Sequence, residues 1–303
     1  MQDRNRIRSD LILLLVALIW GSAFVAQRFA ALQMGAFLFN ALRFWIGAII
    51  LAPFLRLGFQ KTDPVDSVSK DDIAWISLAG FLLFGGAAFQ QAGMKFTTAG
   101  NAGFITGLYV VLIPFFMSMI WREKIRAIIW FAAMLSICGL FLLSTGGRLR
   151  LNPGDVLELF GTSFWAFHVI LIGKLVQRMT LLKLAIGQYL VCGLLSLVAS
   201  LLVGQNNISN IAGSWWALLY TGVVSIGLGY TLQMVGQRFA PAPDAAIILS
   251  LEAVFAAFFG WIFLGEFLNW LQILGCVIIF SGILLAQLHL FVSKESALMF
   301  EKK

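Results

Sequence analysis

A few ionisable side chains interrupt an otherwise apolar sequence, and these are the residues that could do chemistry. Arg43, His168 and Glu252 each lie within a long apolar run. If these runs cross a membrane, a charged side chain near its centre costs at least about 2.5–3.5 kcal/mol. Because a charge inside the membrane is costly, its presence there predicts a function. His168 and Glu252 could bind and release a proton during transport, and Arg43 could neutralise a carboxylate.

Each of these three residues also has a structural interpretation. Arg43 and Glu252 could form a static internal ion pair, or they could bond to carbonyl groups at helix ends. His168 could be a polar core residue with its hydrogen bonds satisfied by neighbours. The sequence leaves both interpretations open.

Gln90 and Gln233 occupy corresponding positions, since a shift of 143 residues superimposes them. If the two halves cross the membrane in opposite senses, Gln90 lies near the outer face and Gln233 near the inner face. We predict that they line two opposite gates. Amide hydrogen bonds between helices are common in membrane proteins, so helix–helix adhesion is the alternative.

Three aromatic residues lie deep within apolar segments. Trp20 corresponds to Trp165 at a shift of 145 residues, and Tyr109 corresponds to Glu252 at a shift of 143. A pocket between them would suit an organic solute whose apolar area is oriented by a few polar groups. Packing against lipid or helices is the alternative. The predicted substrate-binding residues are therefore Trp20, Arg43, Tyr109, Trp165, His168 and Glu252.

The sequence lacks the motifs of a membrane-embedded enzyme or an ATP-driven pump. It contains no His-Glu-x-x-His, no Gly-x-Ser-x-Gly and no phosphate-binding glycine-rich lysine motif. Cys138, Cys192 and Cys276 are dispersed, which fits neither a disulfide framework nor a metal site. We expect no catalytic residue, no metal and no cofactor.

Long apolar segments must position these side chains. The chain is 60% hydrophobic and 12% charged, with a mean hydropathy of +0.92, whereas soluble domains average about 25% charged residues. A membrane-crossing helix needs about 20 apolar residues. Ten such segments are predicted: 11–31, 36–55, 73–94, 97–121, 127–145, 156–175, 183–204, 214–236, 243–264 and 269–292.

The second half of the sequence repeats the first. Residue types recur at fixed shifts, as in the pairs Gly86 and Gly229, Glu123 and Glu266, Gly139 and Gly282, and Asp10 and Asp155. We predict two five-helix repeats, 1–146 and 147–303. Because five is odd, the repeats are inverted relative to each other. The predicted fold class is an all-α polytopic membrane protein of ten transmembrane helices, with a substrate site between the halves.

The positions of lysine and arginine predict the orientation. Most of the 21 cationic residues fall at one set of alternating segment ends, the set that includes both chain termini. Lys95, Arg148 and Arg150 lie in the opposite loops. The positive-inside rule places both termini in the cytoplasm. The net charge of +7 is then explained by anionic lipid headgroups, without a nucleic-acid partner.

The chain resembles the drug/metabolite transporter superfamily, in particular proteins with two EamA-type repeats. The residues that carry the resemblance are Ile19-Trp20-Gly21-Ser22, Ala41-Leu42-Arg43-Phe44, Glu123, Leu251-Glu252 and Leu264-Gly265-Glu266. Ala253 stands where the family usually has proline. The resemblance covers nearly the whole chain. It implies a ten-helix bundle whose central cavity is lined mainly by helices 1, 3, 4, 6, 8 and 9, with helices 5 and 10 at the periphery.

These features predict a secondary carrier that moves a small organic metabolite, such as an amino acid or related compound, by alternating access. Export across a prokaryotic plasma (inner) membrane is the expected direction. Proton coupling and facilitated exchange are both open. A scaffold or lipid-handling protein without solute transport is the alternative. Small residues in helices 5 and 10, Ala133, Ser136, Gly139, Gly275 and Gly282, could support a homodimer.

Overall fold

The apolar segments fold as helices, because a membrane interior offers no water to bond an exposed backbone. The computed structural model describes residues 2–56, 70–145, 152–205, 207, 211–267, 269–282 and 284–285. Within these ranges all regular secondary structure is helical. The predicted boundary between residues 146 and 147 lies outside them.

The chain forms α-helices and one π-helical segment, π1. In chain order they are α1 (Gln2–Ala31), α2 (Ala36–Arg56), α3 (Lys70–Gly93), α4 (Ala99–Gly107), α5 (Tyr109–Ile120), α6 (Ala127–Thr145), α7 (Pro153–Leu175), α8 (Leu181–Val203), α9 (Ile211–Leu219), π1 (Tyr220–Tyr230), α10 (Thr231–Gln237), α11 (Ala242–Leu249), α12 (Glu252–Leu264) and α13 (Trp270–Gly282).

Among the described residues, 8 helical stretches are long and apolar enough to cross a membrane. They are Asn5–Ala31, Ala36–Leu55, Lys70–Gly93, Ala99–Ile120, Pro153–Leu175, Leu181–Val203, Ile211–Gln237 and Ala242–Leu264. The remaining predicted segments, 127–145 and 269–292, correspond to shorter apolar helices at Ala127–Leu142 and Trp270–Gly282. Residues 286–292 lie outside the described part. A polytopic all-helical membrane protein is therefore confirmed, whereas ten crossings in two inverted repeats stay a prediction.

Two of the spans are broken at corresponding positions. The span Ala99–Ile120 changes from α4 to α5 at Leu108, and Pro114 removes a backbone donor from it. The span Ala242–Leu264 is broken between α11 and α12, where the Ser250 hydroxyl donates to the Ile247 carbonyl at 2.7 Å. Such local bonds compete with helical ones and bend helices. The second break is present although residue 253 is alanine.

The span Ile211–Gln237 changes its winding along its length, from α9 through π1 to α10. Other helices donate side-chain hydrogen bonds to its carbonyl groups. Trp20 Nε1 lies 3.2 Å from the Ser225 oxygen, and the Tyr189 hydroxyl lies 3.2 Å from the Ile226 oxygen. Each carbonyl oxygen has two lone pairs, so it can accept from a side chain in addition to its helical bond. π-Helical turns are rare and are frequent at functional sites.

The core lies between helices from the two halves of the sequence. The most extensive contacts join α2 to α8, α3 to α7 and α1 to α12. Small residues allow these approaches: a Cβ on Gly21 would lie 2.9 Å from the Glu252 carbonyl oxygen, and one on Gly93 would lie 2.8 Å from that of Gly154. Close backbone approach through glycine is typical of helix packing in membranes.

Polar contacts join the helices at both ends of the molecule. At the end that we call the Arg6 end, Arg6 pairs with Asp10 at 3.0 Å and with Asp244 of α11 at 3.1 Å. Arg126 lies 3.8 Å from the same Asp244 carboxylate. Ion pairs therefore connect α1, α11 and the start of α6 at this end.

The opposite end, which we call the Arg28 end, is joined by different chemistry. Arg28 donates a hydrogen bond to the Met94 carbonyl oxygen. The Glu266 carboxylate accepts from the backbone amides of Ala99 and Gly100, at 3.3 Å and 3.4 Å. This carboxylate caps the N-terminus of α4, where the helix dipole favours a negative charge. At the Arg28 end charged side chains therefore bind backbone groups, whereas at the Arg6 end they pair with each other.

The small residues of α6 and α13 pack against each other within one chain. A Cβ on Gly139 would lie 2.6 Å from the Gly275 carbonyl oxygen, and one on Gly282 would lie 3.0 Å from the Ala132 oxygen. Ala133 and Ser136 are fully buried. Contacts between α6 and α13 thus occupy this small-residue face. A homodimer through these two helices stays a prediction and would have to use their other faces.

Candidate functional site

All residues predicted for substrate binding or gating line one cavity between the helices. The cavity volume is about 30 Å³, and the empty space rises to about 470 Å³ only when the space open to solvent around it is included. The lining residues are Trp20, Phe24, Gln27, Arg43, Gln90, Thr106, Tyr109, Trp165, His168, Val169, Ser225, Tyr230, Gln233 and Glu252. They come from α1, α2, α3, α4, α5, α7, π1, α10 and α12. The fold thus brings residues from distant parts of the sequence to one place.

The two helix breaks place residues at the cavity wall. Tyr109 is the first residue of α5 and Glu252 is the first residue of α12, so each directly follows the break in its span. Tyr109 faces Glu252 without a hydrogen bond of good geometry. The Glu252 side chain is buried, and its Oε1 atom has no hydrogen-bond partner among the described residues.

Arg43 is a buried cation held by uncharged groups. Its Nε donates to Asn40 Oδ1 at 2.9 Å, and its Nη1 donates to Gln27 Oε1 at 2.7 Å. The guanidinium carbon lies 5.1 Å from the ring centre of Phe39 and 5.3 Å from that of Phe44. These distances fit cation–π contacts.

The ion pair considered between Arg43 and Glu252 is absent, which corrects that structural interpretation. Within the described ranges, ion pairs form elsewhere, and no carboxylate lies within 4 Å of the Arg43 guanidinium. The amides of Gln27 and Asn40 fix the orientation of Arg43 without neutralising it. An uncompensated buried cation on a cavity wall can bind an anionic group.

His168 has one nitrogen bonded and one free. Its Nε2 lies 2.8 Å from Gln188 Oε1. Because that amide oxygen only accepts, Nε2 carries the hydrogen in this arrangement and Nδ1 is an acceptor. Nδ1 has no partner among the described residues. The expectation of a fully satisfied core histidine therefore holds for one nitrogen only.

Aromatic rings form the apolar part of the wall, with Tyr230 at their centre. Its ring centre lies 4.6 Å from that of Trp20 and 6.0 Å from that of Trp165. Each tryptophan rests on a glycine: a Cβ on Gly229 would lie 2.8 Å from Trp20 Nε1, and one on Gly86 would lie 2.7 Å from the Trp165 ring. The two contacts correspond at the shifts that relate the halves of the sequence.

The two glutamines predicted as gates line the same cavity. Gln90 Nε2 donates to Thr106 Oγ1 of α4 at 3.0 Å, and Gln233 Nε2 donates to Gln237 Oε1 of its own helix at 3.0 Å. Gln233 Oε1 has no partner among the described residues. The Gln90 bond joins two helices, as the helix–helix alternative expects, whereas the Gln233 bond stays within one helix. Their gating role stays a prediction.

The sequence did not reveal every residue of the wall. Those missed are Phe24, Gln27, Thr106, Val169, Ser225 and Tyr230. Tyr230 corresponds to Ala87 at the shift of 143 residues, so the repeat carried no signal for it. Gln27 could have been sought as the partner of a buried arginine, because an internal cation needs acceptors.

The described residues contain no group of three or more His, Cys, Asp or Glu side chains that could hold a metal ion. The site offers instead one cation, one carboxyl group, neutral donors and acceptors, and aromatic surface. Such a set can bind and orient an organic molecule, and it contains no arranged nucleophile and base.

Comparison with known proteins places this chain in a family. Residues 7–145 and 152–288 each match the model of the EamA-like transporter family. This confirms the resemblance seen in the sequence and the expectation that the chain is not an enzyme. A protein of Archaeoglobus fulgidus named as an uncharacterized transporter is 32% identical over 285 residues, which cover 94% of this chain and 87% of that protein.

Other matches span similar lengths. The uncharacterized transporter YoaV of Bacillus subtilis is 26% identical over 88% of this chain and 92% of its own. A solved crystal structure superimposes with a TM-score of 0.76 at 20% identity, covering 93% of this chain and 98% of that one. This likeness shows a shared fold.

Proposed function

This chain belongs to the EamA-like transporter family, and on that premise we propose that it is a secondary transporter of a small organic metabolite. The proposed solute is an amino acid or a related compound, moved outward by alternating access. The cavity supplies the reasons for this choice of solute.

Unpaired polar atoms around the cavity carry the proposal. These buried atoms, which lack a hydrogen-bond partner among the described residues, are the Tyr109 hydroxyl, Trp165 Nε1, His168 Nδ1, Gln233 Oε1 and Glu252 Oε1. Buried polar groups are nearly always bonded, and one left unpaired costs about 1–3 kcal/mol. Unpaired atoms gathered at one cavity are best explained by a solute with several polar groups.

The charges of the wall favour a solute with both an acidic and a basic group. Arg43 has no carboxylate of the described chain within 4 Å and can receive one from the solute, by charge-assisted hydrogen bonds. Glu252 can receive an ammonium group. Trp20, Trp165 and Tyr230 offer apolar area to the remainder of the molecule.

For the mechanism, we propose ten crossings in two inverted five-helix halves, with both termini in the cytoplasm of a prokaryotic cell. The contacts α2–α8, α3–α7 and α1–α12 join the halves, so that rocking of one half against the other would open the cavity to alternate sides. Gln90 and Gln233 would change partners as the two sides open. Both termini being cytoplasmic follows from the distribution of lysine and arginine.

The test is transport of labelled amino acids by the purified protein in liposomes. We expect saturable flux by the wild type. Glu252→Gln should abolish uptake driven by a pH difference, because the amide binds no proton. It should weaken exchange of internal for external amino acid without abolishing it, because the amide keeps the shape but loses the charge that receives the ammonium group. Gly100→Ala serves as the matched control, since the added Cβ meets no atom closer than 3.7 Å.

Cells expressing the same variants provide the complementary measurement, namely metabolite content inside and outside. A compound enriched in the medium with the wild type alone would identify the solute class and the direction. Retained pH-driven uptake in Glu252→Gln would exclude Glu252 as a proton site. If no compound differs and no amino acid shows saturable flux, the lipid-handling or scaffold alternative replaces this proposal.

A further inference from the structure

A second carboxyl group, Glu158 of α7, is buried beside the cavity without lining it. It is 1% exposed. Its Oε2 accepts one hydrogen bond, from Thr106 Oγ1 at 3.4 Å, and its Oε1 has no partner among the described residues. An ionised carboxylate offers about four lone-pair sites. A single long hydrogen bond therefore stabilises the ionised form of Glu158 poorly.

Among the described residues, the groups that face Glu158 supply no positive charge. The ionisable side chains acting on it are Asp155 on α7 itself and Glu252 on α12, and both are acidic. The neighbouring helices α3 and α4 contribute the neutral amide of Gln90 and the hydroxyl of Thr106. Ion pairs found in the described residues do not include Glu158. An unpaired charge buried there is costly, and binding one proton removes that cost.

The packing of the fold does not require an acid at this position. Glu158 corresponds to Leu13 at the shift of 145 residues, and Gly93 corresponds to Gly236 at the shift of 143. A Cβ on Gly93 would lie 3.2 Å from Glu158 Oε1, and one on Gly236 would lie 2.8 Å from Leu13 Cδ2. Leu13 thus packs against Gly236 as Glu158 packs against Gly93, so a leucine can fill this space.

Hydrogen bonds connect Glu158 to the cavity. Gln90 Nε2 donates to Thr106 Oγ1 at 3.0 Å, which leaves the Thr106 hydroxyl hydrogen directed at Glu158 Oε2. Both Gln90 and Thr106 line the cavity. Towards the Arg28 end, Asp155 lies one helical turn before Glu158 and accepts from Thr97 at 2.6 Å. Polar groups therefore continue from the Arg28 end to the cavity.

We propose that Glu158 is a proton-binding site of this protein, connected to the cavity through Thr106. Uptake converts its carboxylate to the neutral acid: the Thr106 hydroxyl passes its proton to Glu158 Oε2 and takes a replacement proton from a hydronium ion in the cavity, which becomes water. Release runs the same steps in reverse. Gln90 positions the Thr106 hydroxyl and takes no part in proton transfer. That this proton drives solute movement rests on the proposed transport function; the binding of the proton does not.

The test is infrared difference spectroscopy of the purified protein in lipid nanodiscs, titrated over pH. The wild type should show the carbonyl stretch of a protonated carboxylic acid that is lost in Glu158→Gln and in Glu158→Leu. Glu158→Leu reproduces the packing seen at Leu13, so it should keep the thermal unfolding temperature of the wild type. Glu158→Gln supplies the same spectral comparison if the leucine variant does not fold.

Two results would overturn the proposal. One is a carboxylic acid spectrum that is identical in the wild type and the Glu158 variants. The other is disappearance of the Glu158 signal when sodium replaces choline in the buffer at constant pH, because the site would then bind a metal cation. The spectra need no solute, so a failure of the transport assay leaves this result standing, and the reverse holds as well.

Discussion

At the scale of single residues, Arg43 shows how a buried charge can be oriented without being neutralised. Gln27 and Asn40 each accept one of its hydrogen bonds, and amide oxygens carry only partial charge. A carboxylate from outside the chain would supply the missing counter-charge. The structure therefore separates the two roles that a salt bridge would combine, holding the guanidinium in place and compensating it.

Arg43→Gln should weaken binding of a carboxylate solute by about 10- to 100-fold, since a hydrogen bond to a charged group contributes roughly 1.5–3 kcal/mol. Arg43→Lys should lose less, because it keeps the charge but not the planar fork. The measurement is the affinity for the proposed amino acid solute and for its carboxamide. The wild type should prefer the acid and Arg43→Gln should not. Equal affinity of the wild type for both would contradict the assignment.

The candidate site was largely visible in the sequence because the membrane makes polar residues conspicuous. Arg43, His168 and Glu252 stand out against apolar runs, and the repeat marked Trp20 with Trp165. Neither signal reaches Tyr230, which has no polar or aromatic counterpart in the other half. Nor could the sequence decide the partner of Arg43, since three-dimensional contact, and not residue type, separates an ion pair with Glu252 from bonds to Gln27 and Asn40.

At the scale of elements, tryptophan rings held on glycine backbones join helices of opposite halves. Trp20 of α1 rests on Gly229 of π1, and Trp165 of α7 rests on Gly86 of α3. The rings occupy the space that a side chain would need. Each contact fixes both the distance between two helices and the position of one cavity wall.

Gly86→Ala should destabilise the protein by about 1–3 kcal/mol, since its Cβ would lie 2.7 Å from the Trp165 ring and overpacking costs that much. It should also weaken solute binding, because Trp165 would move. Gly100→Ala, whose Cβ meets nothing closer than 3.7 Å, should change neither. Thermal unfolding in detergent and equilibrium binding are the measurements. Equal unfolding temperatures for the two variants would refute the packing argument.

Most element boundaries followed from hydropathy, but their internal geometry did not. Predicted segment 127–145 coincides with α6, because an apolar run and its polar flanks determine where such a helix begins and ends. No apolar pattern records the break between α11 and α12. The π-helical winding of Tyr220–Tyr230 could not be predicted either, since hydropathy does not distinguish a π-helix from an α-helix.

At the scale of the whole molecule, the two ends are fastened differently. At the Arg6 end, Asp244 forms ion pairs with Arg6 and Arg126. At the Arg28 end, the Glu266 carboxylate accepts hydrogen bonds from backbone amides of α4. The position matching Gly100 in the second half is Pro243, which has no amide hydrogen to donate. The hydrogen bond that the Gly100 amide donates at the Arg28 end therefore has no counterpart at the Arg6 end.

Asp244→Asn should open the Arg6 end, because both ion pairs that converge on it are lost. A bias of about 1–2 kcal/mol would raise the open population roughly 5–30-fold. The readout is labelling of Ser225→Cys by an impermeant thiol reagent in inverted vesicles, with the native cysteines replaced. Asp10→Asn is the matched control, since Asp10 pairs with Arg6 within α1 only. Labelling that rises equally in both variants would argue against this role for Asp244.

The winding of the span Ile211–Gln237 has a consequence for how the cavity wall can move. A π-turn holds one more residue than an α-turn, and one residue corresponds to about 100° around an α-helix axis. Tightening a single turn of π1 would rotate everything beyond it as a screw turns, carrying Gln233 with it. The span would then change which face it shows to the cavity without any helix tilting. The rotation would have to break the hydrogen bonds that Trp20 and Tyr189 donate to its carbonyl groups, so these bonds would oppose it.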